Sequence, residues 1–249
     1  MDEVQKLKDI PRGNTAPGVA RLVLERVTAS SCGPANFRVL DIPCGKGEFL
    51  DTLKRVIPNA ETTGADLNLP PNFDHTFLPI DASRPFAADF HQNFTAITCI
   101  SGVMEFDNTL SFFEQIREVL ADDGEFVVTN DNLLSVRDRL LYLLFGRFRQ
   151  YRHAVKSGTP TWKILPLQNL VRILADAGFD TCKITYVPPK SAEWLWLPLA
   201  ILVYVTQFVY IQMESSDVDK LTLREMFPFR SLLSRHYILV CRPKPKGPD

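Results

Sequence analysis

The 249-residue sequence predicts a doubly wound α/β domain, on three observations. Strand-like and helix-like segments alternate from Phe37 to about Asn130, the signature of a parallel sheet with helical crossovers. The run V-L-D-I-P-C-G-K-G, Val39 to Gly47, joins an apolar strand to a helix through a glycine loop and puts a carboxylate, Asp41, at the join. A second strand, Glu61 to Ala65, ends in Asp66, about 20 residues beyond the glycines.

Taken in order, residues 1–36 read as a tail and one helix whose apolar stripe is Val19, Leu22, Val23 and Val27. Residues 37–249 read as the main domain, with insertions at 131–161 and 190–234. Arg38, Val39, Leu40 and Ile42 form the first strand, and Glu48 to Val56 the following helix, with Phe49, Leu50, Leu53 and Val56 at helical spacing. Gln168 to Gly178 reads as a late helix burying Leu170, Val171, Ile173, Leu174 and Ala177, with a glycine stop. It leads to a strand over Thr181 to Val187, and His236 to Arg242 forms the last strand.

The glycine loop carries the chemistry. Gly45 and Gly47 lack Cβ atoms, so the chain turns sharply and a ligand has room to approach the N–H groups at the helix start. Glycine used only for turning is the other reading, and Asp66 argues against it, because a carboxylate at the end of the second strand suits ribose hydroxyls. The spacing is not G-x-G-x-x-G, since position 50 is Leu, so a close-packed pyrophosphate is not the favoured ligand.

D-I-P-C-G-K-G resembles the first motif of the class I S-adenosylmethionine-dependent methyltransferases, and the likeness continues along the chain. It implies S-adenosylmethionine as cofactor, with the loop Asp41, Pro43, Cys44, Gly45 and Gly47 around its methionine and ribose. Asp66, with Leu67 beside it, would take the ribose hydroxyls. Asp81 in P-I-D-A-S-R-P-F matches the acidic position facing the adenine amino group, with Ala82 next to it. F-T-A-I-T-C-I-S matches the fourth strand, ending at Ser101, and G-V-M-E-F-D the loop below the reactive sulfonium. R-E-V-L-A-D-D-G-E-F-V-V-T-N resembles the helix, turn and fifth strand. L-V-R-I-L-A-D-A-G-F and H-Y-I-L-V-C-R resemble the final helix and last antiparallel strand of the ubiquinone/menaquinone-biosynthesis-like branch. The implied fold is a Rossmann-like seven-stranded sheet with an antiparallel last strand, plus helical insertions.

Catalytic candidates are few. Glu105 sits where related enzymes often carry a Glu-His pair, but Phe106 replaces that histidine. His153 precedes the final helix, where the resembling branch often has a histidine. It reads as a base, as a ligand for a phosphate or sugar oxygen with Arg149, Arg152 and Lys156, or as a structural residue. His75, His91 and His236 show no partner spacing, and no metal cluster is legible.

Composition narrows the partners. With 28 basic and 29 acidic residues the chain lacks the basic excess of a general nucleic-acid binder. Five scattered cysteines read as buried free thiols in a reducing compartment. The charged start, M-D-E-V-Q-K-L-K, has no apolar stretch of signal-peptide type, which makes cytoplasmic residence the default, with peripheral attachment to the inner membrane face as an extension.

The two insertions bear on substrate choice. Between Asp131 and Thr161, Leu133, Leu134, Val136, Leu140, Leu141, Leu144, Phe145 and Phe148 make a broad apolar face beside Arg137, Arg139, Arg147, Arg149, Arg152 and Lys156. It suits an anionic interface or a lid with a solvated basic face. Trp194 to Gln212 is uncharged over 19 residues, the length of a membrane span. A single crossing conflicts with pairing of the flanking strands, so monotopic contact is favoured over an internal helix or a homodimer interface. The preferred activity is methyl transfer to a lipid-linked or amphiphilic acceptor, such as a quinone precursor, isoprenoid or lipid-carried glycan. A soluble small-molecule O-methyltransferase with an apolar lid and a non-catalytic binding protein are the alternatives.

Overall fold

The computed structural model describes residues 10, 15, 18–30, 37–149, 163–180, 183–214 and 220–245. Helix α1 (Val19–Ser30) precedes strand β1 (Arg38–Asp41), helix α2 (Glu48–Val56), β2 (Glu61–Asp66), β3 (Thr76–Pro79) and β4 (Phe94–Cys99). Then come α3 (Thr109–Val119), β5 (Leu120–Asp131), α4 (Val136–Phe145), α5 (Leu167–Asp176) and β6 (Lys183–Tyr186). Helices α6 (Leu197–Met213) and α7 (Lys220–Met226) follow, and β7 (His236–Cys241) closes the chain.

The seven strands form one sheet in the order β3-β2-β1-β4-β5-β7-β6. The first five run parallel, in registers such as Asp41 opposite Gly64 and Thr98. The last strand is antiparallel, as the resemblance implied. Strands β1 and β4 are buried almost throughout, as expected of a parallel sheet covered on both faces. The chain leaves β1 toward β2 and later returns to β4 on its other side, so a crevice opens at the carboxyl ends of β1 and β4.

The chain divides into two compact units, Met1–Asn130 with Lys163–Lys183 and Ile238–Asp249, and Asp131–Trp162 with Ile184–Tyr237. The core of the first is aliphatic with a run of aromatic rings through it. Phe113, Phe126 and Phe179 follow one another in contact, the first pair edge-on and the second tilted, at centroid distances of 5.7 and 5.5 Å. Glu125 is buried, yet its carboxyl stays below its ordinary value: burial opposes ionisation, but Ser30, Arg242 and Arg26 outweigh it. Those bonds tie α1 and the chain beyond β7 to β5.

The second unit has a small apolar core of Val136, Ala200, Leu232 and Leu233, with Trp196, Leu197, Leu199, Val203, Tyr204 and Phe229 packed around it. Ion pairs supply much of the rest. Glu193, 1 % exposed, receives Arg235 Nε at 2.5 Å and Arg137 at 3.3 Å. Asp138, equally buried, accepts from the Ser135 hydroxyl at 2.8 Å and from Arg149 N at 2.8 Å. Asp131 pairs with His236 at 2.9 Å.

The basic face expected between Asp131 and Thr161 is therefore corrected at three positions. Arg137 and Arg149 pair with buried carboxylates, and Arg139 donates to Leu134 O and Gln207. His236 has a carboxylate partner that its sequence context did not reveal. The cysteines also differ in part from expectation. Cys44 and Cys99 are buried free thiols, but Cys241 is disulfide-bonded.

Glu193→Ala would leave Arg235 and Arg137 without their shared buried carboxylate. It should cost about 1.5–3 kcal/mol, read as a lower denaturant midpoint in equilibrium unfolding.

Candidate active site

At the carboxyl end of β1, Asp41 is 2 % exposed and accepts a hydrogen bond from the Thr98 hydroxyl of β4 at 2.6 Å. One short bond thus spans the point where the strand order reverses. Burial pushes the Asp41 carboxyl from its ordinary 3.8 to about 7; the Thr98 bond opposes this and the charge of Asp66 adds to it. The folded chain holds this proton more tightly than the unfolded chain. The contribution of Asp41 to stability is therefore fullest below 3.8 and is lost as pH rises through about 7.

The glycine loop is pinned to both neighbouring strands. Ile42 N donates to Thr98 O at 2.9 Å and Cys44 N to Ala65 O at 3.0 Å. Gly45 and Gly47 both have positive φ, 53° and 80°, but they differ in what surrounds them. A Cβ on Gly45 would meet nothing within 4 Å, whereas one on Gly47 would lie 2.7 Å from the ring of Phe73. Only Gly45 leaves open space for a ligand. Gly47 keeps the turning role expected of it, but a protein side chain lies against it, which corrects the expectation of ligand access at that glycine.

Asp66 ends β2 beside this loop. One carboxylate oxygen accepts from Gly45 N at 2.9 Å and the other from Leu67 N at 2.7 Å. Leu67 and Leu69 follow as exposed apolar side chains. An open glycine backbone, two carboxylates and an apolar shelf suit a ligand with a cationic amino acid end, a ribose and a base.

The other expected positions fall into different surroundings. Pro43 packs against Gly102, where an added Cβ would come within 2.2 Å of its ring, so it joins the loops after β1 and β4. The Cys44 sulfur points at Gly64, and its thiol is pushed up to about 12, first by burial and then by Asp41 and Asp66. It is a neutral thiol, not a nucleophile. Asp81 bonds Ser83 N at 3.0 Å and pairs with Arg84 at 3.1 Å, with Ala82 buried beside it. Ser101 takes a positive φ of 58° and donates its N–H to Thr129. Glu105 is exposed on the loop after β4, while Phe106 lies buried with its ring 4.4 Å from Phe112. Arg149 is committed to Asp138. His153, Arg152 and Lys156 lie outside the described residues.

The parts played by four residues escaped the sequence reading. Thr98 was visible only as a strand residue. Phe73 lies in an irregular connection, and His75 beside it is held by Thr62 at 2.8 Å and Asp51 at 3.0 Å, partners without recognisable spacing. Lys163 donates its backbone N–H to Met104 O at 2.8 Å and its ammonium to Phe106 O at 2.7 Å, fastening the loop that carries Glu105.

A methyltransferase-domain family model matches residues 12–184, more than half of the chain. Comparison with curated protein sequences returns no match. Among solved structures, a SAM-dependent methyltransferase from Archaeoglobus fulgidus is similar at a TM-score of 0.54 and 16 % identity, over 89 % of this chain and 93 % of that one. The Burkholderia thailandensis 1,6-didemethyltoxoflavin-N1-methyltransferase, solved with its namesake ligand and S-adenosylhomocysteine, is similar at 0.53 and 13 %, over 92 % and 80 %. A geranyl diphosphate methyltransferase in complex with SAM follows at 0.52 and 12 %, over 90 % and 84 %. The chain belongs to the methyltransferase-domain family. It is an S-adenosylmethionine-dependent methyltransferase.

Cofactor affinity should rise with pH if the raised Asp41 carboxyl is the partner of the cofactor's ammonium, since only its ionised form would attract that charge. Binding of S-adenosylhomocysteine should tighten about tenfold from pH 6 to pH 8 by calorimetry, and Asp41→Asn should remove that dependence. Asp66→Ala should weaken the same ligand by about 1.5–3 kcal/mol, the value of hydrogen bonds to a charged group.

Proposed function

We propose that the protein methylates a lipid-linked or amphiphilic acceptor at a membrane surface. The observation that carries this reading is the outer face of α6. Ala200 and Ile211 are buried, Leu199, Val203 and Tyr204 pack on the core of the second unit, and Gln207 bonds Arg139 and Phe227 O. The remaining side chains of the helix include Ile201, Leu202, Val205, Phe208, Val209, Tyr210 and Met213, all exposed. Tyr142, Leu143, Leu144 and Phe145 at the end of α4 add further exposed apolar surface. A contiguous display of this kind marks a contact surface.

Among the described residues, Ser191–Met213 is the one helix long and apolar enough to cross a membrane by length and composition. Seating in the membrane plane agrees better with its surroundings. The helix touches its own unit near both ends, and its polar Gln207 is satisfied from the protein side. The chain also leaves and returns at one place, because Val187 N donates to His236 O at 3.0 Å.

The cofactor supplies an activated methyl group on a sulfonium. Asp41, Gly45 and Asp66 would hold it, Leu67 and Leu69 would offer apolar surface to its base, and Asp81 with Ala82 would bound the adenine end. Aligning the acceptor and excluding water supply most of the acceleration such a displacement needs. For an acceptor that must lose a proton, Glu105 and His153 are the bases the chain offers. Placement in the ubiquinone/menaquinone-biosynthesis-like branch, and with it a quinone precursor as acceptor, rests on the sequence of α5 and β7. Residence in the cytoplasm on the inner membrane face fits the same reading.

The test is co-sedimentation with vesicles of mixed zwitterionic and anionic phospholipid, comparing the wild type with a variant carrying Ile201→Ser, Leu202→Ser and Val205→Ser. The wild type should pellet with vesicles. The variant should stay in the supernatant with unchanged S-adenosylhomocysteine binding. A wild type that remains in the supernatant would overturn the membrane reading and move the acceptor search to soluble metabolites.

A further inference from the structure

We infer that Phe73 is a positioning residue for cofactor binding, acting through the glycine backbone, with His75 as its anchor. The connection between β2 and β3 starts at Asp66 and passes through Phe73 and His75 before β3 begins at Thr76. It therefore carries a cofactor carboxylate at one end and an aromatic clamp at the other.

The ring of Phe73 fills the room left by two glycines. A Cβ on Gly47 would lie 2.7 Å from Cε2 of Phe73, and a Cβ on Gly64 would lie 2.4 Å from its Cζ. Gly47 caps α2 and has φ 80°, a conformation that costs little only for glycine. Gly64 lies two residues before Asp66 and touches the Cys44 side chain of the loop from the same side. A single aromatic ring thus bears on both ends of the cradle, the glycine turn and the strand that delivers the ribose carboxylate.

The ring is held in turn by its neighbours. It meets the rings of His75 and Phe77 edge-on, at 5.2 and 5.4 Å. His75 has almost no exposed side chain, and its two nitrogens are bonded to Thr62 of β2 and Asp51 of α2. Asp51 itself donates its backbone N–H to Gly47 O at 2.9 Å, so the anchor returns to the residue that Phe73 covers. Phe73, His75 and Thr62 also line an open cleft of about 600 Å³. The clamp is consequently a closed circuit of contacts among α2, β2 and the connection, with solvent nearby.

Such a clamp fixes the direction of Gly45 N–H and the carboxylate of Asp66, which are joined by a 2.9 Å hydrogen bond. Without the ring, Gly47 and Gly64 gain freedom and the cofactor must order the loop on binding. That loss appears in affinity for the cofactor.

Calorimetric titration of S-adenosylhomocysteine into the full-length protein separates this role from general stability. Phe73→Ala should raise Kd about tenfold with the binding stoichiometry unchanged, and Phe73→Leu should recover part of the loss. His75→Gln should raise Kd by a smaller factor. A lower stoichiometry at wild-type Kd would mean that Phe73 only keeps the chain folded, and wild-type Kd and stoichiometry in Phe73→Ala would mean that the ring has no role; either overturns the inference. If Phe73→Ala does not fold, Phe73→Leu decides on the same two numbers.

Discussion

The arrangement of the site depends on a carboxylate held away from water at the reversal of the sheet. Asp41 ends β1 in the apolar interior because a parallel strand covered on both faces has no wet side to offer it. Thr98 alone among the described side chains is seen bonding it, which leaves the proton bound to about pH 7. A buried acid with so little compensation is costly to ionise. A ligand carrying positive charge toward Asp41 would lower the cost of ionising it.

Around that residue, the loops after β1, β2 and β4 hold one another. Pro43 rests on Gly102, Gly45 N–H binds Asp66, and Phe73 covers Gly47 and Gly64. Small residues occur where another chain segment comes within van der Waals range. The glycines thus serve two separate ends, access for a ligand at Gly45 and close packing at the other three.

The second unit solves a different problem. Its apolar core is small, and several of its large apolar side chains face outward on α6 and α4. Buried ion pairs at Glu193 and Asp138 secure it without those side chains, at the expense of the positive face that its arginines would otherwise display.

Much of this was legible in the sequence, for identifiable reasons. The strand, glycine loop and helix from Arg38 to Val56 are local patterns, and α2 spans Glu48–Val56 as read. The positions of Asp41 and Asp66 at the ends of β1 and β2 were legible because motif and spacing encode them. Pairings between distant residues were not. Nothing in the sequence couples Arg149 to Asp138 instead of a substrate anion, joins His236 to Asp131, or sends Lys163 to the loop of Glu105. Gly47 was read correctly as a turn residue, φ 80°, but not as a packing site, since a sequence shows that a Cβ is absent but not what occupies its place.

The most direct measurement of the central claim is the titration of the Asp41 carboxyl by carbon-detected NMR, in the free protein and with S-adenosylhomocysteine bound. The account predicts a midpoint of about 7 in the free protein and a clear fall when the ligand binds. A midpoint near the ordinary 3.8 in the free protein, unmoved by ligand, would contradict it.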